Sequence, residues 1–195
     1  MRQGAARTTL AERGDDLYET PAWCTQALLR WGVLERHDGL GAIWEPCAGK
    51  GAISRELRAS GREVVAQDLV DWPGRDAGIE TGCDFLMSWS VPRGVTCIVT
   101  NPPYKLADEM IWRGLRLGLP LIMFLRLMSL EGERRAPLIS GYLHEVWFGH
   151  ERPPSLYADG RGGSWNAGAP FGWFVFRPGR REGPIALHPK SWGGS

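Results

Sequence analysis

Apolar runs recur along this chain at short intervals, each closed by glycine, proline or an acidic residue. The apolar cores of GAIWEPC, REVVAQDLVD, GVTCIVTNPPY and LPLIMFLRLMSL read as strands, the last running on into a turn or helix. Helical patterns lie between and before them. In YETPAWCTQALLRWGVL, residues Trp23, Ala27, Leu28, Trp31 and Leu34 form a stripe near helical spacing. Thr20 is placed to accept from the first-turn N–H groups there, and Pro21 suits the first helical position, where its missing N–H is not needed. AISRELRASG and KLADEMIWRGLRLG read as two further helices, and DFLMSW opens a short element. Strands and helices alternating in this way predict a mostly parallel sheet covered by helices.

The last third changes character. HEVWFGH and FGWFVFRP read as two late strands, and FGWFVF, near the end of the chain, is expected to run antiparallel to its neighbours. The connector ERPPSLYADGRGGSWNAGAP is long, polar and rich in glycine and proline, and such loops are often functional. The expected organisation is a flexible arm at residues 1–17, one domain over 18–185 with a substrate loop at 150–170, and a C-terminal tail at 186–195, frayed over KSWGGS. The opening MRQGAARTTLAERGDD has no apolar centre, and no stretch is long enough to span a bilayer, which points to a cytoplasmic protein with no membrane partner.

Composition narrows the chemistry only a little. Hydrophobic residues make up 43% of the 195 positions, enough for a real core, and the formal charge of +1 gives no global basic field. Beyond Gly149 six basic residues face three acidic ones, a mild local bias. Cys24, Cys47, Cys83 and Cys97 form no Cys-x-x-Cys pair and the histidines are scattered, so no metal site is expected.

The turn in WEPCAGKGAI carries Ala48, Gly49 and Gly51, small residues that let backbone approach a ligand at the carboxyl end of a parallel sheet. It lacks both the dinucleotide glycine spacing and the Gly-Lys-Ser/Thr of a phosphate loop. Glu45 just before it repels a pyrophosphate and attracts a cation, which favours a nucleoside bearing an amino-acid or sulfonium group. Asp68, at the end of the second strand, suits ribose hydroxyls; read alone, it equally suits capping the next turn. Asp84 can accept from an adenine amino group while Phe85 packs against the ring, or can serve as a solvated turn residue. Together the three carboxylates would ring one nucleoside across adjacent strand ends.

IVTNPPY ends a core strand with two prolines, which remove the N–H groups that further ladder pairing requires. Asn101 can offer its side-chain oxygen, and Pro102 its carbonyl, to the hydrogens of an amino group. Two acceptors draw the nitrogen lone pair out of conjugation and leave it better aligned for attack. Tyr104 adds a flat face for a planar substrate.

On YETP at 18–21, WEPCAGKG at 44–51, QDLVD at 67–71, DF at 84–85 and TNPPY at 100–104, the chain resembles the S-adenosylmethionine-dependent amino-methyltransferases. The likeness is greatest to the small DNA N6-adenine methyltransferases of phages and prophages. That resemblance implies a Rossmann-like seven-stranded, mostly parallel sheet with helices on both faces, S-adenosylmethionine as cofactor and DNA as partner. It sets the methionyl carboxylate near Tyr18, Thr20 and Pro21. It sets the cofactor beside Glu45, Pro46, Ala48, Gly49 and Gly51, its ribose at Asp68 and its adenine near Asp84 and Phe85. Asn101, Pro102 and Tyr104 would hold the target base, with Pro103 against the substrate.

Larger members of the family carry a recognition domain after NPPY, whereas about ninety residues follow it here. Arg126, Arg134, Arg135, Arg152 and Arg161 are candidates for backbone phosphates, and Trp165 for a wedge beside an extruded base. The plainer reading has solvated arginines and a Trp packed under a loop, with SLEGERR pairing its own charges. The rival functions are methylation of an RNA base or a protein glutamine, and a non-catalytic DNA-binding or scaffold protein on the same fold.

Overall fold

Strands that read as continuously apolar become the centre of one eight-stranded sheet in the computed structural model, which describes residues 17–37, 41–150 and 170–193. β1 (Ala42–Glu45), β2 (Val64–Asp68), β3 (Ile79–Thr81), β4 (Val95–Thr100) and β5 (Leu121–Arg126) are parallel and lie in the order β3-β2-β1-β4-β5. Beyond β5 come β7 (Phe171–Phe176), then β6 (Leu143–Gly149), then β8 (Ala186–Lys190). β7 is antiparallel to both neighbours, as expected for the FGWFVF run.

Helices cover both faces, which is why the central strands show no polar alternation. On one face α1 (Ala22–Arg30), the short α2 (Leu34–His37) and α3 (Ala52–Ala59) pack against Ile43, Cys97, Val99, Ile122 and Phe124. On the other, α4 (Ala107–Arg116) and α5 (Ala136–Tyr142) pack against Trp44, Ile98, Leu121, Met123 and Leu125. Neighbouring residues of one strand therefore enter opposite cores, and both must be apolar.

Two expectations are corrected, and a third is made specific. Among the described residues the sheet has eight strands, not seven, because residues read as the C-terminal tail pair in parallel with β6 as β8. This strand is mostly exposed and, among the described residues, pairs on one side only, so its residues carry no core pattern. Its anchor lies just beyond it, where Trp192 is buried between Trp23 and Trp31, the Trp31 indole donates to the Ser191 carbonyl at 3.1 Å, and the Arg30 guanidinium donates to the Trp192 carbonyl. At the start of α1, Pro21 is the N-cap rather than the first helical residue, and no side chain caps the helix. DFLMSW becomes a 3-10 turn at Phe85–Met87, for which Asp84 is the cap. The expected arm, apart from Leu17, and nearly all of the expected loop at 150–170 lie outside the described residues.

Candidate functional site

A cleft of about 370 Å³ opens at the carboxyl ends of the parallel strands. It lies where the sheet changes its direction of growth, with β2 and β3 on one side of β1 and β4 and β5 on the other. Such a switch point leaves a crevice between neighbouring strand ends.

The turn after β1 forms one wall. Gly49 and Gly51 have φ of 57° and 97°, a backbone region that other residues rarely adopt. A Cβ at Gly49 would stand 2.8 Å from Leu17 Cδ1, and one at Gly51 would stand 2.5 Å from Asp76 Oδ2. The Ala48 N–H donates to the Gln67 carbonyl at 2.9 Å, tying the turn to β2. Asp68 fastens it further: Oδ2 accepts from the Gly49 N–H at 2.7 Å and Oδ1 from the Val70 N–H at 2.8 Å. The carboxylate expected at a ribose is therefore also a clamp between two turns: capping the next turn was one reading of its place in the sequence, and the bond to the Gly49 turn was not.

Glu45 is 1% exposed, and its Oε2 is buried without a hydrogen-bond partner among the described residues. Burial pushes its carboxyl well above the usual carboxylate range, with Asp68 adding to the effect and Ser54 and Arg58 opposing it. Burial thus disfavours the charge on the carboxylate expected to attract a cation, and a donor or cation reaching it would oppose that shift. Asp84 accepts from the Leu86 N–H at 3.0 Å through Oδ1. Phe85 lines the cleft but is also core, set edge-on to Trp44 with centroids 5.1 Å apart.

β4 brings up the opposite wall. Asn101 Nδ2 donates to the Tyr18 carbonyl at 3.1 Å and to Thr20 Oγ1 at 3.0 Å. The Thr20 hydroxyl expected to cap α1 is thus bonded elsewhere. Asn101 Oδ1 is buried with no partner among the described residues. Pro102 is buried, and Pro103 leads into a 3-10 turn at Tyr104–Leu106. The Tyr104 ring stacks on Tyr18 with centroids 5.4 Å apart and 29° between planes, and the Arg126 guanidinium lies 4.6 Å from its centroid.

The structure brings thirteen of the expected residues to this one cleft: Tyr18, Thr20, Glu45, Pro46, Ala48, Gly49, Asp68, Asp84, Phe85, Asn101, Pro102, Pro103 and Tyr104. Pro21, Gly51 and Arg126 stand outside its lining. Pro21 and Gly51 serve as helix N-caps, and Arg126 sits against Tyr104. Arg152, Arg161 and Trp165 lie outside the described residues. Arg134 and Arg135 pair with Asp108 and Glu109 in the first turn of α4, so their charge is shared with carboxylates. Sequence reading missed Leu17, Lys50, Val70, Trp72, Lys105 and Met110, which also line the cleft. Lys50 and Lys105 sit inside or beside the quoted motifs, and that adjacency was the available signal. Among the described residues no group of three or more His, Cys, Asp or Glu is arranged to hold a metal ion. No helix among them is long and apolar enough to cross a membrane.

No protein-family model matches the chain, and no curated protein matches its sequence. Solved structures do match. The chain is similar to a proposed class I S-adenosylmethionine-dependent methyltransferase of Listeria monocytogenes, with a TM-score of 0.59 at 13% identity over 93% of this chain and 69% of that one. Magnesium protoporphyrin IX methyltransferase of Synechocystis, solved with bound S-adenosylmethionine, matches with a TM-score of 0.52 at 11% identity over 90% of this chain and 86% of that one. A modification subunit of a proposed type I restriction enzyme of Vibrio vulnificus matches with a TM-score of 0.51 at 13% identity over 90% of this chain and 48% of that one. At such identities the likeness establishes the fold.

Proposed function

We propose that this chain, which has the class I S-adenosylmethionine-dependent methyltransferase fold, transfers a methyl group from that cofactor to the exocyclic N6 amino group of adenine in DNA. The observation that carries the reading is the pairing of a glycine cradle with an Asn101 oxygen that has no partner among the described residues, across one cleft. A buried acceptor without a donor costs about 1–3 kcal/mol, so it is kept only where something else compensates. A substrate amino group would do so.

The cleft residues suit the cofactor. The Gly49 turn packs closely against Leu17 in the cleft wall, Asp68 ends β2, Asp84 caps the turn beyond β3, and the buried Glu45 oxygen has no donor among the described residues. S-adenosylmethionine, when bound, supplies a methyl group on a positively charged sulfur. Asn101 Oδ1 and the Pro102 carbonyl accept the two amino hydrogens and direct the nitrogen lone pair, while Tyr104 stacks on the base. No strong base is needed in advance, because methylation itself makes the amine acidic and the proton then passes to water.

DNA as substrate rests on the likeness of TNPPY to the N6-adenine enzymes, on Arg126 beside Tyr104, and on the fold shared with a restriction-modification subunit. The test is transfer of labelled methyl into DNA, RNA and protein, with mass spectrometry of the product nucleosides. N6-methyladenine in DNA is expected, with unpaired or mismatched adenine reacting faster because the base must leave the stack. Label found only in RNA or protein would overturn the DNA assignment and leave amino-methyl transfer standing.

A further inference from the structure

Asn101 has an amide whose two ends meet different surroundings. The Tyr18 carbonyl, 3.1 Å from one end, can only accept, so that end must be the NH2 group. Thr20 Oγ1 takes the same nitrogen at 3.0 Å. The oxygen is then left buried and unpartnered among the described residues, on a side chain that lines the cleft.

Thr20 is well placed for this. It is 4% exposed, and Pro21 after it restricts its backbone to extended conformations, which limits where the hydroxyl can point. The helix that Thr20 precedes has no side-chain cap among the described residues, and Pro21, not Thr20, takes the N-cap position. The hydroxyl is committed to a partner 81 residues away instead.

We propose that Thr20 is a positioning residue, whose hydroxyl, with the Tyr18 carbonyl, holds the Asn101 amide so that it offers oxygen, not NH2, to the incoming amine. This rests on the methyl-transfer reading above. A turned amide would set a donor against the substrate's own N–H groups, and the nitrogen lone pair would lose its direction. Removing the Thr20 oxygen leaves one backbone acceptor to oppose that turn. The cofactor contact that the sequence resemblance implies for Thr20 makes a different prediction, loss of cofactor affinity, so the two roles separate experimentally.

The experiment compares Thr20→Val and Thr20→Ser with the unaltered protein by turnover, calorimetric affinity for S-adenosylmethionine, melting temperature and the 15N-resolved side-chain amide signals of Asn101. Those signals are assigned by their absence from Asn101→Asp. In the unaltered protein the Asn101 NH2 hydrogens are expected to be shifted and slow to exchange. Thr20→Val should lose that protection and lower kcat by about 10- to 100-fold, with cofactor affinity within about twofold. Thr20→Ser, which keeps the oxygen, should recover kcat to within about threefold. Unchanged amide signals or unchanged kcat in Thr20→Val overturns the role, as does a rate loss matched by loss of cofactor affinity. An unaltered protein that methylates no amine overturns the methyl-transfer reading and this role with it. An active one whose Asn101 signals are unprotected overturns the Thr20 role alone.

Discussion

β2 ends at Asp68 and β4 leads directly into Asn101, both beside the same cleft, and the two polar residues are treated differently. Each Asp68 oxygen already accepts a backbone N–H, from Gly49 and from Val70. Asn101 has its donor end satisfied twice and its acceptor end, among the described residues, not at all. Asp68 therefore shapes the cleft wall, and whatever it gives a ligand comes from its remaining lone pairs. Asn101 is oriented by the protein while its oxygen has no partner among the described residues, as suits a group whose partner is the substrate.

The sharpest way to break this contrast is Asn101→Ala. With the acceptor gone, turnover is expected to fall by about 100-fold or more while cofactor affinity stays within a few-fold. Steady-state kinetics beside calorimetry checks this, and equal losses in both would place Asn101 with the cofactor. Asp68→Ala comes next and should act in the opposite sense. Losing a charge-assisted acceptor costs about 1.5–3 kcal/mol, so cofactor affinity should drop roughly tenfold or more and the melting temperature should fall too. An Asp68→Ala protein with unaltered affinity and melting would remove the clamp from the account.

Glu45 extends the contrast to pH. Its folded carboxyl is raised above its ordinary value by burial. Stability from the buried neutral form is therefore complete below the unfolded carboxyl's pKa, about 4.3, and declines as pH rises toward the folded one. Glu45→Gln has no proton to lose, so its melting temperature should gain on the unaltered protein as pH rises from about 5 to about 8. A gap independent of pH would mean that Glu45 is already ionised. The smallest effect is expected from Tyr104→Phe, because stacking on Tyr18 is done by the ring that both residues share. Turnover within about threefold is the expected outcome. An inactive variant would give the hydroxyl a role that stacking does not explain.

Most strands were legible because each is buried on both faces and must be apolar throughout, as in Ile98 between Cys97 and Val99. β8 was not, since an exposed edge strand has no such constraint and is held through Trp192, beyond its own end. Within the cleft, Gly49 and Asn101-Pro102-Pro103 were legible as local chemistry, a turn needing positive φ and a strand denied further N–H groups. Leu17 and Met110 were not, because a cleft-lining aliphatic residue looks like any other.

What the sequence by itself determined is local: where strands stop, which turn requires glycine, and which residue types stand at the strand ends. Those properties depend on covalent geometry and on neighbours a few positions away. Only the tertiary structure decided which donor meets which acceptor. Gly49 finds Asp68 19 residues on, and Asn101 finds Thr20 81 residues back. A hydrogen bond forms only within a few tenths of an ångström and over a narrow range of angles, and packing of the whole sheet sets both. Thr20 could thus be read as a helix cap until the fold carried Asn101 to it.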